Sequence, residues 1–172
     1  MVFKDKVIWI TGASSGIGEH LAYAFSEQGA KLILSSRNLQ ELTRVKQNCS
    51  QPDSIRILSL DVADFEQVPT IYQQVKEAWG TPDILINNAG ISQRELVKDT
   101  AFLVDKKIMD VNFLGTVAVT KAVLPDMLVQ KSGQIVVISS VMGKIGTPFR
   151  SAYAASKHAL QGVFRGVGRA HG

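Results

Sequence analysis

The stretch "KVIWITGASSGIGEH", residues 6–20, decides the fold. Its first six residues, Lys6–Thr11, form a near-continuous apolar run rather than an alternating one, which predicts a parallel strand buried on both faces. The run passes through a glycine-rich turn directly into a segment with helical periodicity. The same criterion predicts four further strands, at Lys31–Ser36, Ile55–Leu60, Asp83–Asn87 and Gln134–Ser140.

Segments with helical periodicity separate these strands. Helices are predicted at Ile17–Gln28, Leu39–Asn48, Phe65–Trp79, Asn112–Gln130 and Ala152 to about Arg165. Gly29, Gly80 and Gly133 follow three of them, where helices commonly end, and Pro125 is expected to kink or shorten the fourth. The βαβαβ order implies right-handed crossovers and a doubly wound parallel sheet with helices on both faces, a three-layer αβα arrangement. We expect one domain spanning residues 1–172.

Composition argues against several classes of protein. A chain of this size, 172 residues, buries roughly 70% of its extended surface and forms a substantial core. The net charge of +4 comes from scattered Lys and Arg residues, which argues against nucleic-acid binding. Cys49 is the only cysteine, so a reducing compartment is expected. No apolar run approaches the ~20 residues of a membrane span, and no signal peptide is visible. We expect a cytoplasmic protein with no membrane partner and no metal site.

The glycine-rich turn is a candidate anion site. Gly12 permits the tight turn, Gly16 the close approach of a ligand, and Gly18 the packing of helix on strand. Free N–H groups at the start of the helix suit a pyrophosphate. The spacing is G-x-x-x-G-x-G rather than the standard G-x-G-x-x-G, and a glycine-rich turn without a ligand is the alternative. The candidate cofactor-binding residues of this turn are Gly12, Ser14, Ser15, Gly16, Ile17 and Gly18.

Arg37 follows the second strand, in "LSSRN". An acidic residue there would bind the ribose hydroxyls of NAD. An arginine, together with Ser14 and Ser15 of the turn, better matches a 2′-phosphate, so NADP(H) is favoured over NAD(H). The alternative is that Arg37 is an ordinary loop charge.

Polar and small residues follow the third and fourth strands. Asp61 can accept a hydrogen bond from an adenine amino group beside the Val62 backbone, although Asp64 can equally be only a helix N-cap. In "INNAG", small residues allow a cofactor to approach and the asparagines can tie strand ends together, or the motif is a plain turn. Its candidate binding residues are Asn87, Asn88, Ala89 and Gly90. All four motifs lie at carboxyl ends of strands, where open α/β sheets bind ligands.

A tyrosine and a lysine lie four residues apart in "SAYAASKHAL", residues 151–160. The spacing places Tyr153 and Lys157 on one face of the predicted helix. Taken alone, such a pair is more often two surface residues. Ser139 and Ser140 end the fifth strand, and they are either a simple strand terminus or hydroxyls that converge with the pair on one cleft.

Taken together, the motifs resemble those of the short-chain dehydrogenase/reductase family, which binds a nicotinamide cofactor on a Rossmann-type sheet. The matching marks occur in the family's order and cover nearly the whole chain from Lys6 onward. They are "TGASSGIG", "DV" at Asp61, "NNAG", "VN" at Asn112, "SS" at Ser139 and Ser140, and "YAASK".

The resemblance implies a catalytic tetrad. Tyr153 would be the general acid/base at the substrate oxygen, and Lys157 would hold the nicotinamide ribose and keep the tyrosine acidic. Ser140, chosen over Ser139 for its interval to the tyrosine, would bind the substrate oxygen. Asn112 would interrupt its helix and order a proton-relaying water. A cation ~4 Å from a phenol at an effective dielectric of ~20 is worth ~4 kcal/mol, which favours proton transfer near neutral pH.

The resemblance also implies what lies beyond this length of sequence. Family members continue through two more strands, a substrate-covering loop and a segment that holds the nicotinamide amide. The expected sheet therefore lacks those C-terminal strands, and a full-length form is expected to be a homo-oligomer. The glycines of "FRGVGRAHG", residues 164–172, predict a poor helix at that end.

The leading hypothesis is an NADP(H)-dependent oxidoreductase that interconverts a carbonyl and a secondary alcohol. The alternatives are a non-catalytic dinucleotide-binding remnant and an inactive fragment that needs a partner chain. The segments 92–100 and 141–150 are expected to line part of the substrate site. The apolar residues of the second segment favour a small-molecule substrate with an apolar part, or they serve only in packing. They are Val141, Met142, Ile145, Pro148 and Phe149.

Overall fold

A five-stranded parallel sheet organises the computed structural model, which describes residues 2–167. The strands are β1 (Val7–Thr11), β2 (Lys31–Ser36), β3 (Ile55–Ser59), β4 (Ile84–Asn87) and β5 (Gln134–Val137). Their order is β3-β2-β1-β4-β5, and every neighbouring pair is parallel. Successive strands are added on one side of β1 up to β3 and on its other side from β4 onward. Open α/β sheets form a ligand crevice at the point between β1 and β4 where this order switches. The predicted Rossmann-type α/β fold is confirmed.

Helices cover both faces of the sheet. They are α1 (Gly16–Glu27), α2 (Leu39–Asn48), α3 (Gln67–Trp79), α4 (Phe102–Met109), α5 (Thr116–Val129) and α6 (Ser151–Val167). Ile8 and Ile10 of β1 pack with α1 and α2, whereas Val7 and Trp9 pack with α3 and α5 on the opposite face. Both faces of the strand are thus buried, which explains why its sequence is continuously apolar.

The helix before β5 differs most from its prediction. Instead of one helix from Asn112, the chain forms α4, a π-helical segment at Asp110–Gly115, and α5. Pro125 lies inside α5 and does not end it, because the helix continues to Val129. Val119, Val123 and Met127 bury one side of α5 in the core, and this packing outweighs the missing hydrogen bond of the proline.

Smaller differences occur at element ends. β5 ends at Val137, three residues before its predicted end, because Ser140 caps a one-turn 3₁₀ helix, Val141–Gly143. α6 continues through Gly166 to Val167, further than its glycine content predicts. Residues 168–172, the rest of the predicted poor helix, lie outside the described part of the chain.

The helical stretch Phe102–Val129 is long and apolar enough to cross a membrane by length and composition. An 18-residue portion of this stretch has a mean hydropathy of 1.3, and 44% of that portion is buried inside the protein. Core helices of globular proteins pass the same test, and the expectation that no segment spans a membrane stays a prediction.

An ion-pair cluster ties α1 to α2 beside the glycine-rich turn. Arg44 donates to Glu19 at 2.8 Å and to Glu41 at 2.7 Å, and it also reaches the Ser14 carbonyl oxygen at 3.5 Å. The hydrogen bond from Arg44, followed by that from Tyr23, lowers the pKa of Glu19 to about 2. Arg44 therefore holds the carboxylate of Glu19 charged and anchors the turn.

This cluster predicts a loss of stability in acid. Because the pKa of Glu19 falls from 4.5 when the chain is unfolded to about 2 when it is folded, its contribution is complete above pH 4.5 and disappears as the pH falls toward 2. Urea unfolding at stepped pH should show the wild-type midpoint falling more steeply than that of Glu19→Gln across this window. Parallel pH profiles for the two proteins would contradict the assignment. The effect is small because Arg44 is 43% exposed.

Candidate active site

The glycine-rich turn provides an open anion-binding surface at the start of α1. Gly12 and Gly16 have φ angles of +65° and +58°, which favour glycine. A Cβ atom on Gly12 would lie 2.7 Å from the Ala89 Cα, whereas one on Gly16 would meet nothing within 4 Å. Ser15 precedes α1 without a side-chain cap, so the first N–H groups of the helix remain available to a ligand.

Gly18 packs tightly against the strand ends. A Cβ atom there would lie 2.5 Å from both the Asn88 Nδ2 and the Gly12 carbonyl oxygen. Asn88 Nδ2 donates to the carbonyl oxygens of Thr11 and Gly12 at 3.1 and 2.9 Å. Thr11 in turn accepts from the N–H groups of Asn88 and Ala89. These bonds join the loops after β1 and β4 into one rigid floor.

A cleft of about 250 Å³ lies above this floor. Its lining includes nine of the predicted cofactor-binding residues and three others. The predicted ones are Gly12, Ser14, Ser15, Arg37, Asp61, Val62, Asn88, Ala89 and Gly90, and the others are Leu60, Ile91 and Val111. Leu60 and Val111 adjoin the quoted motifs directly, so the "LDV" and "VN" contexts could have identified them.

Three predicted residues of the turn, Gly16, Ile17 and Gly18, are not part of this lining, and Ile17 is 59% exposed. The lining is therefore mostly, but not wholly, the predicted set.

Asn87 does not reach the cleft. It is 3% exposed, and its Nδ2 donates to Thr120 of α5 at 3.0 Å. Its Oδ1 is buried without a partner among the described residues. The structure thus places the Asn87 side chain between β4 and α5 and outside the cleft lining, and its role in cofactor binding stays a prediction. Strand alternation is the reason for this placement, because Asn87 shares the face of Leu85, which packs toward α3 and α5.

Charged residues lie at one end of the cleft. The Arg37 Nη1 lies 4.0 Å from the Asp61 Oδ2, and both side chains are more than 40% exposed. Asp61 also accepts from the Ala63 N–H at 3.0 Å. Asp64 accepts from the Gln67 N–H at 3.3 Å, so it caps the turn into α3. Arg37 is the residue of this group with donors left for an anion.

Asn112 lies at the centre of the π-helical segment, so the expected interruption of its helix is present. The side chain is fully buried. Its Oδ1 accepts from the Ile91 N–H at 2.8 Å, and its Nδ2 donates to the Ile91 carbonyl oxygen at 2.8 Å and to Ser156 Oγ at 3.1 Å. Asn112 therefore fastens the loop after β4 to α6.

Tyr153 and Lys157 face the loop after β4 from the first turns of α6. Lys157 is 5% exposed, and its Nζ donates to the Ile138 carbonyl oxygen at 2.8 Å. The same Nζ lies 5.8 Å from the centre of the Tyr153 ring and 3.8 Å from where a Cβ atom of Gly90 would be. Burial lowers the pKa of Lys157 from 10.5. A buried cation thus lies between a half-buried phenol and the cleft.

The two serines at the end of β5 have different surroundings. Ser139 Oγ accepts from Gln161 Nε2 at 3.1 Å and lines a larger groove of about 850 Å³ between α5, β5 and α6. Ser140 is not in that lining, and its Oγ accepts from the Met142 N–H at 3.2 Å. This arrangement leaves the Ser140 O–H free to donate elsewhere. Neither the larger groove nor the smaller cleft has Tyr153 or Lys157 in its lining. We assign the chemistry to the smaller cleft because the Lys157 Nζ lies 3.8 Å from where a Cβ atom of its lining residue Gly90 would be.

Sequence reasoning did not identify three residues next to Tyr153. The Arg150 guanidinium lies 5.7 Å from the centre of its ring and bonds Ser92. Gln93 accepts from the Tyr153 N–H at 3.2 Å, and Ser156 donates to the Tyr153 carbonyl oxygen at 2.7 Å. Gln93 and Arg150 lie within the two segments expected to line the substrate site but were not singled out there, and Ser156 lies inside the quoted "YAASK".

The residues present fit a dinucleotide. The uncapped start of α1 and the open space at Gly16 suit a pyrophosphate, and small residues floor the cleft beside Lys157. Within residues 2–167, no group of three or more His, Cys, Asp or Glu side chains is placed to hold a metal ion.

Comparison with known proteins agrees with this geometry. The family model for short chain dehydrogenases matches residues 6–172. The human dehydrogenase/reductase SDR family member 7 is 45% identical over 168 residues, which are 95% of this chain and 50% of the relative. The chain therefore spans about half the length of the curated relatives it matches.

Solved structures agree as well. An actinorhodin polyketide ketoreductase variant solved with NADPH superposes with a TM-score of 0.91 at 29% identity, covering 95% of this chain and 64% of that one. ElxO, solved with NADP bound, gives a TM-score of 0.87 at 34% identity, covering 92% of this chain and 65% of ElxO.

Proposed function

Since this chain belongs to the short chain dehydrogenase family, we propose that it carries the cofactor and proton-transfer sites of an NADP(H)-dependent oxidoreductase that interconverts a carbonyl and a secondary alcohol. The observation that carries this proposal is the buried Lys157 ammonium between the Tyr153 ring and Gly90 of the cleft floor. A lysine without a carboxylate partner is rarely so buried unless its charge serves a function.

Tyr153 is the proton donor in this mechanism. In the reducing direction its O–H protonates the substrate oxygen, and in the oxidising direction the phenolate takes the proton back. The positive charge of Lys157 stabilises the phenolate. Ser140 donates a hydrogen bond to the same substrate oxygen, and its acceptor bond from the Met142 N–H orients the hydroxyl. The nicotinamide, when bound, supplies or accepts the hydride.

Asn112 has a supporting role in the mechanism. Both ends of its side-chain amide are bonded to protein groups, so it holds the loop and α6 in register rather than contacting substrate. The π-helical segment widens the helix at this point, and such segments frequently mark functional sites.

Two loops that meet beside Tyr153 support the proposal that part of the substrate is apolar. The Glu95 N–H donates to the Phe149 carbonyl oxygen at 3.1 Å, which joins segments 92–100 and 141–150. Val141, Ile145 and Phe149 are 68%, 54% and 47% exposed. A surface of this kind suits a ketone or aldehyde with a hydrophobic body.

The preference for NADP(H) predicts an effect of Arg37. Arg37→Ala should raise the Kd for NADPH by about tenfold, because one charge-assisted hydrogen bond to the 2′-phosphate is lost, and should leave the Kd for NADH within about twofold. Fluorescence titration measures both constants. Arg56→Ala is the matched control. It removes one exposed arginine at the start of β3, whereas the cleft lies beyond the other end of that strand. Tighter binding of NADH than NADPH by the wild type would contradict the preference.

The function itself is tested by following NADPH oxidation with a panel of apolar ketones and aldehydes. Turnover supports the proposal. NADPH binding without any turnover would instead favour a non-catalytic dinucleotide-binding protein, and neither binding nor turnover would favour a fragment that needs a partner chain.

A further inference from the structure

We propose that Gln93 is a positioning residue that fixes Tyr153 by joining the loop after β4 to the first turn of α6. The proposal rests on the proposed function, because it concerns the placement of the proton donor. Gln93 follows the "NNAG" motif by three residues and lies in the segment 92–100 that was expected to line part of the substrate site.

The first turn of α6 needs a cap from outside its own segment. The Arg150 carbonyl oxygen accepts the first helical bond, from the Ala154 N–H at 2.8 Å, so Arg150 occupies the N-cap position. An arginine side chain has no acceptor atom and cannot satisfy the free N–H groups of the turn. The acceptor comes instead from Gln93.

Gln93 uses both ends of its amide on α6. Its Oε1 accepts from the Tyr153 N–H at 3.2 Å, and its Nε2 donates to Ser151 Oγ at 3.2 Å. The residue is only 9% exposed. Two bonds from one buried, planar group fix both the position and the rotation of the turn that carries Tyr153.

The loop that holds Gln93 is itself fixed at the cleft. Asn112 bonds both the N–H and the carbonyl oxygen of Ile91, two residues earlier. Asn112 also reaches Ser156, whose hydroxyl donates to the Tyr153 carbonyl oxygen at 2.7 Å. The backbone of Tyr153 is therefore held at its N–H by Gln93 and at its carbonyl by Ser156, and both restraints lead back to the floor of the cleft.

Removing the Gln93 restraint should therefore affect catalysis more than binding. A shift of about 1 Å in a reacting group can cost about a hundredfold in rate. The substitution leaves the glycine-rich turn and Arg37 unchanged, so NADPH binding should be preserved.

The test compares Gln93→Ala, Gln93→Glu and the control Gln161→Ala in the whole chain. Gln161 also lies on α6 and donates to a serine, Ser139, but it is one turn beyond Lys157. We expect Gln93→Ala to lower kcat about tenfold to a hundredfold, with KM for NADPH within about twofold of wild type. Gln93→Glu keeps the acceptor for the Tyr153 N–H and places a negative charge at the helix start, so it should recover most of kcat. Gln161→Ala should keep near wild-type kcat.

Amide hydrogen exchange separates this proposal from the proposed function. In NMR experiments, the Tyr153 N–H should exchange faster in Gln93→Ala than in Gln161→Ala. Unchanged exchange at Tyr153, or a kcat for Gln93→Ala equal to that of the control, would overturn the role of Gln93, as would failure of Gln93→Glu to recover activity. If the wild type turns over no carbonyl but exchange responds as expected, the proposed function fails and the restraint on Tyr153 stands.

Discussion

Replacing Tyr153 by phenylalanine lowers kcat by about 10³-fold or more while NADPH binding stays within about twofold of wild type. The variant removes only the hydroxyl that delivers the proton. The aromatic ring stays near the Arg150 and Lys157 cations, 5.7 and 5.8 Å from its centre, so the first turn of α6 keeps its packing. Steady-state NADPH oxidation measures kcat, and fluorescence titration measures binding.

Tyr72→Phe is the matched control for this prediction. The Tyr72 hydroxyl donates to Asp126 at 2.8 Å, between α3 and α5, and neither residue lines the cleft. Its removal should lower stability and leave kcat close to wild type. A Tyr153→Phe protein that keeps more than about a tenth of wild-type kcat would refute the assignment of the proton donor.

Replacing Lys157 by methionine should remove activity without destabilising the fold at neutral pH. The charge that stabilises the phenolate is lost, so kcat should fall by about 10²-fold or more, and NADPH should bind more weakly. The ammonium is buried with no carboxylate within 4.0 Å among the described residues, and burying an unpaired charge opposes folding. Methionine has a similar shape and no charge.

The pH dependence of the stability difference between the wild type and Lys157→Met tests the destabilising effect of the buried charge. Burial lowers the pKa of Lys157 below the 10.5 of the unfolded chain, so the folded state releases this proton first as the pH rises. The wild type should gain stability relative to Lys157→Met between neutral pH and about pH 10. Urea unfolding at about pH 7 and pH 9.5 measures the difference. A Met variant that is clearly less stable at neutral pH, or a difference that does not change with pH, would contradict this role of the buried charge.

The sheet and its ligand-binding edge were predictable from local patterns. Near-continuously apolar strands such as Lys31–Ser36 can be recognised from the sequence because both of their faces are buried. The structure has that strand with the predicted bounds. Parallel strands place their carboxyl ends at one edge, so the motifs of Gly12, Arg37 and Asp61 could be expected to meet there.

The remaining features depend on contacts that no local pattern reports. In α4, Phe102 and Leu103 are 77% and 74% exposed and Ile108 is the buried residue, so the apolar residues do not mark a buried face. Asn87 and Asn88 are adjacent in sequence, but strand geometry sends only Asn88 to the cleft. Gln93 and Tyr153 are 60 residues apart, and only the folded chain brings them together.

The most direct measurement follows the hydride itself. The protein is incubated with a reducible apolar ketone and NADPH that carries deuterium at the transferable position of the nicotinamide, and the alcohol is analysed by mass spectrometry. We expect one deuterium on the carbinol carbon of the alcohol made by the wild type, and almost no alcohol from Tyr153→Phe at matched NADPH occupancy. An alcohol without deuterium, or equal amounts of labelled alcohol from both proteins, would contradict a reductase that uses Tyr153 as its proton donor.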